Sequence, residues 1–598
     1  MSKVSSYIEE TGGSFLVKED LNNIQTLTPE LFTDEQKMIA KTTEEFVERE
    51  ITALGEKANQ LDYQLSKEIV RKAGEVGLLG ACLPEEYGGL GLDGVRFALL
   101  KEHLNLGPSS VTTTVGGQMG IGMLPIIFFG TPQQREKYLP KLMDGTLTTA
   151  FALTEPSSGT DASSIKTTAR LSEDGKHYIL NGSKVFITNA GFADIFVVFA
   201  KVNGTEFSAF IVERDTEGLS IGPEEKKMGL KASSTCSMTF DNVKVPVENL
   251  FGKIGEGHRF AFNTLNFGRL SVGAGSLGNS KHALDCAVKY ANQRIQFAQP
   301  ISNFPLIGKK LADINTKIYV LESMIYRTAG VFDKKLKEID FKDPDLENSS
   351  RKAIGEFMIE CSINKVFGSE TLDFAADESL QVHGGYGYIQ EYEIEGIYRD
   401  ARIKRIFEGT NEMNRLFITK NLVKRLLKGN FPELQKALDE SEANLQNVSY
   451  QPNQAHILDS ECQILDSLKK VYHFTLSKAV HKYGINLEKE QEICSDLADI
   501  AIQIYAIESA LLRTQKLIEL KGEEKSKNAI DMTVAYTHEA FDLSIGFAKN
   551  ILCSLHNGAE LTQNLELLQK VSHKPEINPM ELKRSIAKKV IDAEKYII

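Results

Sequence analysis

The chain has 598 residues, 42% hydrophobic and 25% charged, with a net charge of −12 at pH 7. That length and composition fit a soluble globular protein of several domains, and the lack of a basic excess excludes a general nucleic-acid binder. Seven cysteines (82, 236, 286, 361, 462, 494 and 553) show no CxxC spacing, which argues for reduced thiols and against a disulfide frame or a zinc site.

Residues 1–32 read as an N-terminal extension. They carry no apolar signal-peptide core and no Arg-rich presequence character, so the expectation is a cytoplasmic protein. No apolar run reads as long enough to span a bilayer. From Thr33 the spacing of Met38, Ile39, Phe46, Val47 and Ile51 predicts a helix, with Thr33 and Gln36 as its capping box. Helical periodicity returns over 65–76, 95–106 and 115–123, and Thr131-Pro132 opens another helix. Residues 33–147 therefore form an N-terminal helical domain.

At 148 the pattern changes. Short alternating or β-branched runs follow at 148–154, 167–171, 177–180, 184–188, 195–201, 207–212, 237–240 and 243–246. Glu173-Asp174-Gly175 and the pair Asn181-Gly182 read as turns, the latter as a hairpin. Residues 148–256 predict a middle antiparallel β-barrel domain. Amphipathic helices over 258–291, 306–335, 350–376 and 412–428 predict a four-helix bundle at 257–428. The polar stretch 431–452 predicts a linker over 429–456, and more helices make a C-terminal helical domain at 457–598. The fold class is α+β, mostly α.

Two stretches carry chemistry. In RIKRIFEGTNEMNRL a basic, β-branched run delivers one carboxylate, Glu408, to a Gly409-Thr410 break. A carboxylate in a dry setting has a raised pKa and accepts protons better near neutral pH. The ordinary alternative is a helix start with Thr410 as cap and Glu408 on the surface. In LTEPSSGTD a strand leaves into a loop of hydroxyls and backbone donors that suits a flat heterocycle or a phosphate; taken alone, the stretch reads first as an ordinary strand-exit turn. Neither GxGxxG nor GxxxxGK[ST] occurs.

LTEPSSGTD, LNGSKVFITNAG, NQRIQFAQPI and QVHGGYGYIQEYEIEGIYRDARIKRIFEGTNEMNRL stand in the order and spacing of the acyl-CoA dehydrogenase family. The chain resembles that family from Thr33 to about Lys428, and its continuation is similar to the very-long-chain members and their bacterial relatives. The resemblance implies FAD as cofactor, a long-chain fatty acyl-CoA as substrate, electron-transfer flavoprotein as acceptor and a homodimer. The reaction would yield the trans-2-enoyl-CoA in the first step of β-oxidation.

Glu408 matches the catalytic base of longer-chain members, with its own N–H as an oxyanion donor. Thr154, Thr188 and Phe186 match flavin contacts beside Phe151 and Leu153; Phe186 replaces a usual Trp. Arg294 matches an arginine on the FAD pyrophosphate of the neighbouring subunit, with Phe297 beside it. Gln381, Gly384 and Gly385 match the loop over the adenosine half, and Thr410 and Asn411 complete the FAD side. Thr160 matches a position near both cofactor and CoA; Arg269, Phe407 and Gly409 match the substrate side. His383 reads as structural.

Gly308 stands where relatives commonly have Gln, and Pro125 interrupts the helix expected to wall the acyl pocket, where Gly120 and Gly122 offer room. The rivals are an acyl-CoA oxidase, a short- or branched-chain dehydrogenase, and an FAD-retaining assembly or binding scaffold. Lys469-Lys470 beside Val471 and Phe474 reads as a solvated bundle surface, with membrane-surface contact as the alternative.

Overall fold

The computed structural model describes residues 10–17, 21, 24–343, 345–451 and 457–598. Six helices open the chain: α1 (Asp34–Phe46), α2 (Tyr63–Glu75), α3 (Gly94–Leu104), α4 (Ser109–Gly117), α5 (Leu124–Phe129) and α6 (Pro132–Met143). The predicted capping box forms at Thr33 with Gln36, and Thr131 with Gln134 repeats it at α6. Pro125 sits in the first turn of α5, where its missing N–H costs nothing. The break between α4 and α5 falls instead at Gly120, whose ψ of −116° is not helical. Ser109–Phe129 is after all long and apolar enough to cross a bilayer, but 78% of its apolar window is buried inside the fold.

Seven strands make one sheet: β1 (Thr149–Ala152), β2 (Thr168–Leu171), β3 (His177–Thr188), β4 (Ile195–Val202), β5 (Glu206–Glu213), β6 (Leu219–Glu224) and β7 (Thr235–Pro246). The order is β1-β4-β2-β3-β7-β6, with β5 also on β4. The sheet is mixed rather than purely antiparallel, because β4 pairs parallel with both β1 and β2. Asn181-Gly182 is not a hairpin. It lies within β3 at a register shift between Leu180 and Gly182, where a Cβ on Gly182 would collide with Thr167. Asn181 and Asn242 bridge the bulged strands through their side chains. The true turn is Glu173-Asp174-Gly175, with Gly175 at φ 68°.

The bundle is α7 (Gly257–Gln293), α8 (Pro305–Leu336), α9 (Leu346–Gly355), α10 (Met358–His383), α11 (Glu393–Ala401) and α12 (Asn411–Leu427). The ribbon β8 (Ile295–Gln296) and β9 (Gln299–Pro300) follows α7. Residues 432–446, expected as linker, fold into α13 (Pro432–Asp439) and α14 (Ser441–Gln446), because Leu434, Leu438 and Leu445 are spaced to bury together. Positions 452–456 of that linker lie outside the described residues. The C-terminal domain is α15 (Asp459–Tyr483), α16 (Gln491–Lys521), α17 (Lys527–Leu555), α18 (Gly558–Ser572) and α19 (Pro579–Ala593).

This domain packs directly on the bundle. A Cβ on Gly308 would stand 3.3 Å from that of Ala587 on α19, so a glycine there lets the two helices approach. Lys469 is neither solvated nor aimed at a membrane: it is buried and paired with Glu508, while Val471 and Phe474 lie in the core. The extension also docks here. Phe15 meets Tyr505 edge-on at 5.0 Å, and the Leu16 carbonyl accepts from His473.

Candidate active site

Glu408 sits in the break between a 3-10 turn at Arg402–Arg405 and α12. Its φ is 57° and that of Gly409 is 79°. A left-handed glutamate is uncommon and costs on the order of 1 kcal/mol. The surroundings enforce the turn. Thr410 caps α12 by accepting from Met413 N–H, as the ordinary reading expected. Asn414 Nδ2 donates to the carbonyls of Gly409 (2.8 Å) and Thr410 (3.0 Å). Lys365 Nζ donates to Gly409 O at 2.8 Å and to Asn411 Oδ1 at 2.6 Å.

Glu408 is not a surface charge. The residue is half-buried, and its Oε2 is enclosed with no hydrogen-bond partner. It lies over Gly268 of α7, where a Cβ would come within 2.5 Å of Oε2. Burial pushes its pKa up to about 7 against the pull of Arg269, Lys365 and Lys101. Arg269 is buried, stacks 4.5 Å over Phe417 and donates to Asn266 at 3.0 Å. Lys365 and Lys101 are themselves pushed down by burial, to about 7 and about 8. One enclosed carboxylate thus faces three buried cations without a close ion pair to any of them, a setting typical of chemistry rather than of structure.

Asn411 behaves differently from the expectation. It is 3% exposed, its Oδ1 accepts from Lys365 and its Nδ2 donates to Ser369 and Glu370. Its side-chain amide is committed inside the chain, so it positions the Glu408 loop. Phe407 and Gly409 flank the carboxylate, both half-buried.

The β-domain residues lie on β1, on the loop after it and at the end of β3. Glu155, buried, accepts from Lys184 (2.8 Å) and from Thr167 N–H (3.0 Å), which pins the 153–161 loop to β3. Leu153 is buried, Phe151 packs on Phe199 at 5.0 Å, and the Thr154 carbonyl accepts from Val185 N–H. Phe186 has φ 59° and is 64% exposed, an aromatic face held outward in an uncommon conformation. Thr188 lies across from α4, its methyl 3.8 Å from where Gly117 would carry a Cβ. Thr160 is exposed on the loop.

Along α4 and the turn after it, Gly116 and Gly120 face the Lys101 ammonium, with their would-be Cβ positions 3.7 and 3.5 Å from Nζ. Lys101 donates to the Gly116 carbonyl at 2.7 Å. Gly122 gives no room, because it packs against Thr149.

The remaining expected residues form a second group. The Arg294 guanidinium lies 5.3 Å over the Tyr386 ring, which places it beside Gly384 and Gly385. Phe297 is 88% exposed at the tip of the β8–β9 ribbon, where it and Ala298 both have positive φ. Gln381, Gly384 and Gly385 are exposed. The 25 residues of helix from Arg269 to Arg294 span about 37 Å, so a single chain does not bring the two groups together. His383 stacks on Tyr290 at 4.3 Å and shares Nδ1 with the Ser379 carbonyl, the packing of a structural histidine. Sequence reasoning missed Gly268, Lys101 and Lys365. Their signal was a lone glycine or lysine within an otherwise buried helical face.

Comparison with known proteins agrees with this geometry. Acyl-CoA dehydrogenase domain models match in chain order: the N-terminal domain at 33–146, the middle domain at 150–243 and the C-terminal domain at 255–423. A second C-terminal-domain model matches 467–570. The chain is 45% identical to a probable acyl-CoA dehydrogenase of Bacillus subtilis over the whole of both chains. It is 37% identical to the very long-chain specific acyl-CoA dehydrogenase of Macaca fascicularis, over 82% of this chain and 76% of that one. The structure of an acyl-CoA dehydrogenase complexed with FAD from Bacillus anthracis superposes with TM-score 0.94 at 46% identity, covering 98% of this chain and all of that one. Enclosed carboxylate, domain order and whole-chain identity agree: the chain belongs to the acyl-CoA dehydrogenase family, the FAD-dependent oxidoreductases that act on CH–CH bonds.

Proposed function

We propose that the protein dehydrogenates a long-chain fatty acyl-CoA to the trans-2-enoyl-CoA, opening β-oxidation in the cytoplasm, with electron-transfer flavoprotein as electron acceptor. The observation that carries this reading is the enclosed, partnerless Oε2 of Glu408. An α-proton of a thioester is too weakly acidic for a hydrated carboxylate. A base held near pKa 7 is better matched to the task. As Glu408 takes the α-proton, negative charge builds on the thioester carbonyl and needs fixed donors. Among the described residues no acceptor engages the Glu408 N–H, which leaves it for that oxygen. Arg269, Lys365 and Lys101 keep the pocket's field positive and favour the charge that develops.

Bound FAD supplies the acceptor for the β-hydride. The residues fit this group: Glu408 has a buried carboxylate oxygen with no partner, and the β domain offers an outward aromatic, Phe186, and hydroxyls at Thr154 and Thr188. Thr160, on the exposed loop, would meet the CoA portion. Because about 37 Å of helix separates Arg269 from Arg294, a second copy of the chain would bring Arg294, Phe297, Gln381, Gly384 and Gly385 to the pyrophosphate and adenosine. That makes the active unit a homodimer. The likeness to a very long-chain specific relative supports the long-chain preference.

The test is anaerobic bleaching of the flavin by acyl-CoAs of increasing length. Palmitoyl-CoA should bleach fastest and butyryl-CoA slowly. A maximum at short or branched chains would reassign the substrate, and peroxide release without an electron-transfer partner would make the protein an oxidase. FAD retention with no bleaching by any thioester would leave a scaffold.

A further inference from the structure

Two turns before Arg294, α7 carries a cluster that the dehydrogenation chemistry leaves unused. His282 and Cys286 are four residues apart and share one helix face. Glu393, the first residue of α11, meets them across the helix gap. His282 Nε2 is 2.8 Å from Glu393 Oε1. The Cys286 sulfur is 3.9 Å from that same Nε2 and 3.9 Å from Glu393 Oε2. All three ligand atoms lie within 4.8 Å of one another.

The geometry is wrong for a nucleophilic thiol. Such a site needs its base to take the thiol proton on one ring nitrogen while a third group steers the other. Here thiol and carboxylate both address Nε2, so the three groups converge on a point instead of forming a relay. Convergence suits a cation. Bonds of roughly 2.3 Å to sulfur, 2.0 Å to nitrogen and 2.1 Å to oxygen at tetrahedral angles put ligand atoms about 3.4–3.6 Å apart. The nitrogen–sulfur edge is 3.9 Å and the nitrogen–oxygen edge through Oε1 is 2.8 Å, while the 3.9 Å sulfur–oxygen edge runs to the other carboxylate oxygen, Oε2, so ligation through one oxygen takes a rotation of the carboxylate together with small χ adjustments.

The setting also fits. His282 and Cys286 are half-buried, whereas the Glu393 side chain is 49% exposed, which leaves an open side for water. Lys289 acts on both Glu393 and Asp285. A sequence search for CxxC spacing cannot find such a site, since its third ligand comes from more than a hundred residues away.

We propose that His282, Cys286 and Glu393 bind a borderline-soft divalent transition-metal ion of the Zn²⁺ class, with water as fourth ligand, and so clamp α7 to the start of α11. Thiolate and imidazole ligands select against Mg²⁺ and Ca²⁺. On binding, sulfur forms its bond to the ion as thiolate, and the thiol proton leaves to solvent. The clamp sits beside the Tyr290–His383 stack and next to Tyr392, which meets Tyr290 edge-on at 6.2 Å. It therefore steadies the loop on which Arg294 rests. This inference stands apart from the choice of substrate.

The test uses the full-length, FAD-loaded protein, stripped with chelator and titrated with Co²⁺. One equivalent should give tetrahedral d–d bands in the red, clear of flavin absorption, and thiolate-to-cobalt charge transfer; Zn²⁺ should displace it. Cys286→Ser should abolish the charge-transfer band. Glu393→Gln should weaken binding by at least the roughly tenfold that loss of even an outer-shell partner costs. Cys553→Ser, at an exposed cysteine elsewhere, should change nothing. FAD content and melting temperature of the metal-free variants should match the parent, which separates lost ligation from lost fold. No d–d band at saturating Co²⁺, or an unaltered band in a Cys286→Ser/His282→Ala double variant, overturns the proposal.

Discussion

Two sets of buried charge lie in the same helical framework, and the fold treats them in opposite ways. Where the extension, bundle and C-terminal domain meet, the buried cations Arg327, Arg513, Lys281 and Lys469 each have carboxylates. Arg327 pairs with Glu10 at 2.7 Å and with Glu508 at 2.6 Å, and Glu508 also pairs with Lys469. Arg513 pairs with Glu30 at 2.8 Å and with Glu322 at 2.6 Å. Lys281 joins Glu322 to Glu102. At Glu408 three cations surround one carboxylate and none closes on it. Paired charges lock domains together, whereas an unpaired one stays free to exchange a proton.

The comparison can be broken first at Glu408. Glu408→Gln should keep yellow, FAD-bound protein while bleaching by palmitoyl-CoA slows about 10³-fold or more. The same variant should be more stable above neutrality. The carboxylate's pKa rises from 4.5 to about 7 on folding, so its ionisation costs stability progressively as pH climbs from 4.5 through 7. Glutamine removes that cost, up to about 3 kcal/mol by linkage. Urea unfolding at pH 5 and pH 8 reads the difference; a destabilised variant at pH 8 would mean the carboxylate is paired after all.

Arg327→Met should do the reverse, lowering stability by about 3–5 kcal/mol because Glu10 and Glu508 lose a buried partner. Circular-dichroism melting would register it, and unchanged melting would reduce the relay to ornament. Gly268→Ala is next in size. Its methyl would press on Glu408 Oε2, so turnover should fall about tenfold with FAD content intact, an overpacking cost of roughly 1–3 kcal/mol. The smallest effect is a shift in pH dependence. kcat/KM should rise with pH along a limb near 7. Lys365→Met removes a cation that holds Glu408 down, so that limb should move upward by about one unit, worth roughly 1.4 kcal/mol. A limb that stays put would mean Lys365 acts only through its hydrogen bond to Gly409.

What the sequence revealed followed from local chemistry. Thr33, Thr131 and Thr410 announce their caps because the capping hydroxyl lies within three residues of its donor. Glu408 stood out because an apolar run led into a glycine break. Local signals also misled. Asn181-Gly182 has hairpin composition, yet pairing with β7 carried the strand straight through it as a bulge. The polar 432–446 stretch hid three leucines whose burial needed α15, a partner supplied later in the chain. Lys101 and Lys365 were missed, and Lys469 was read as solvated, for a related reason: lysine is ordinarily exposed, and only the assembled core reveals a buried ammonium.

The length of α7 has a genetic corollary. Deleting one residue between Arg269 and Arg294 would swing one arginine by about 100° relative to the other, so a frame-preserving loss of a single codon there should be as damaging as a missense change in either. Restoring the angular phase takes a whole turn, which shortens the spacing by about 5.4 Å.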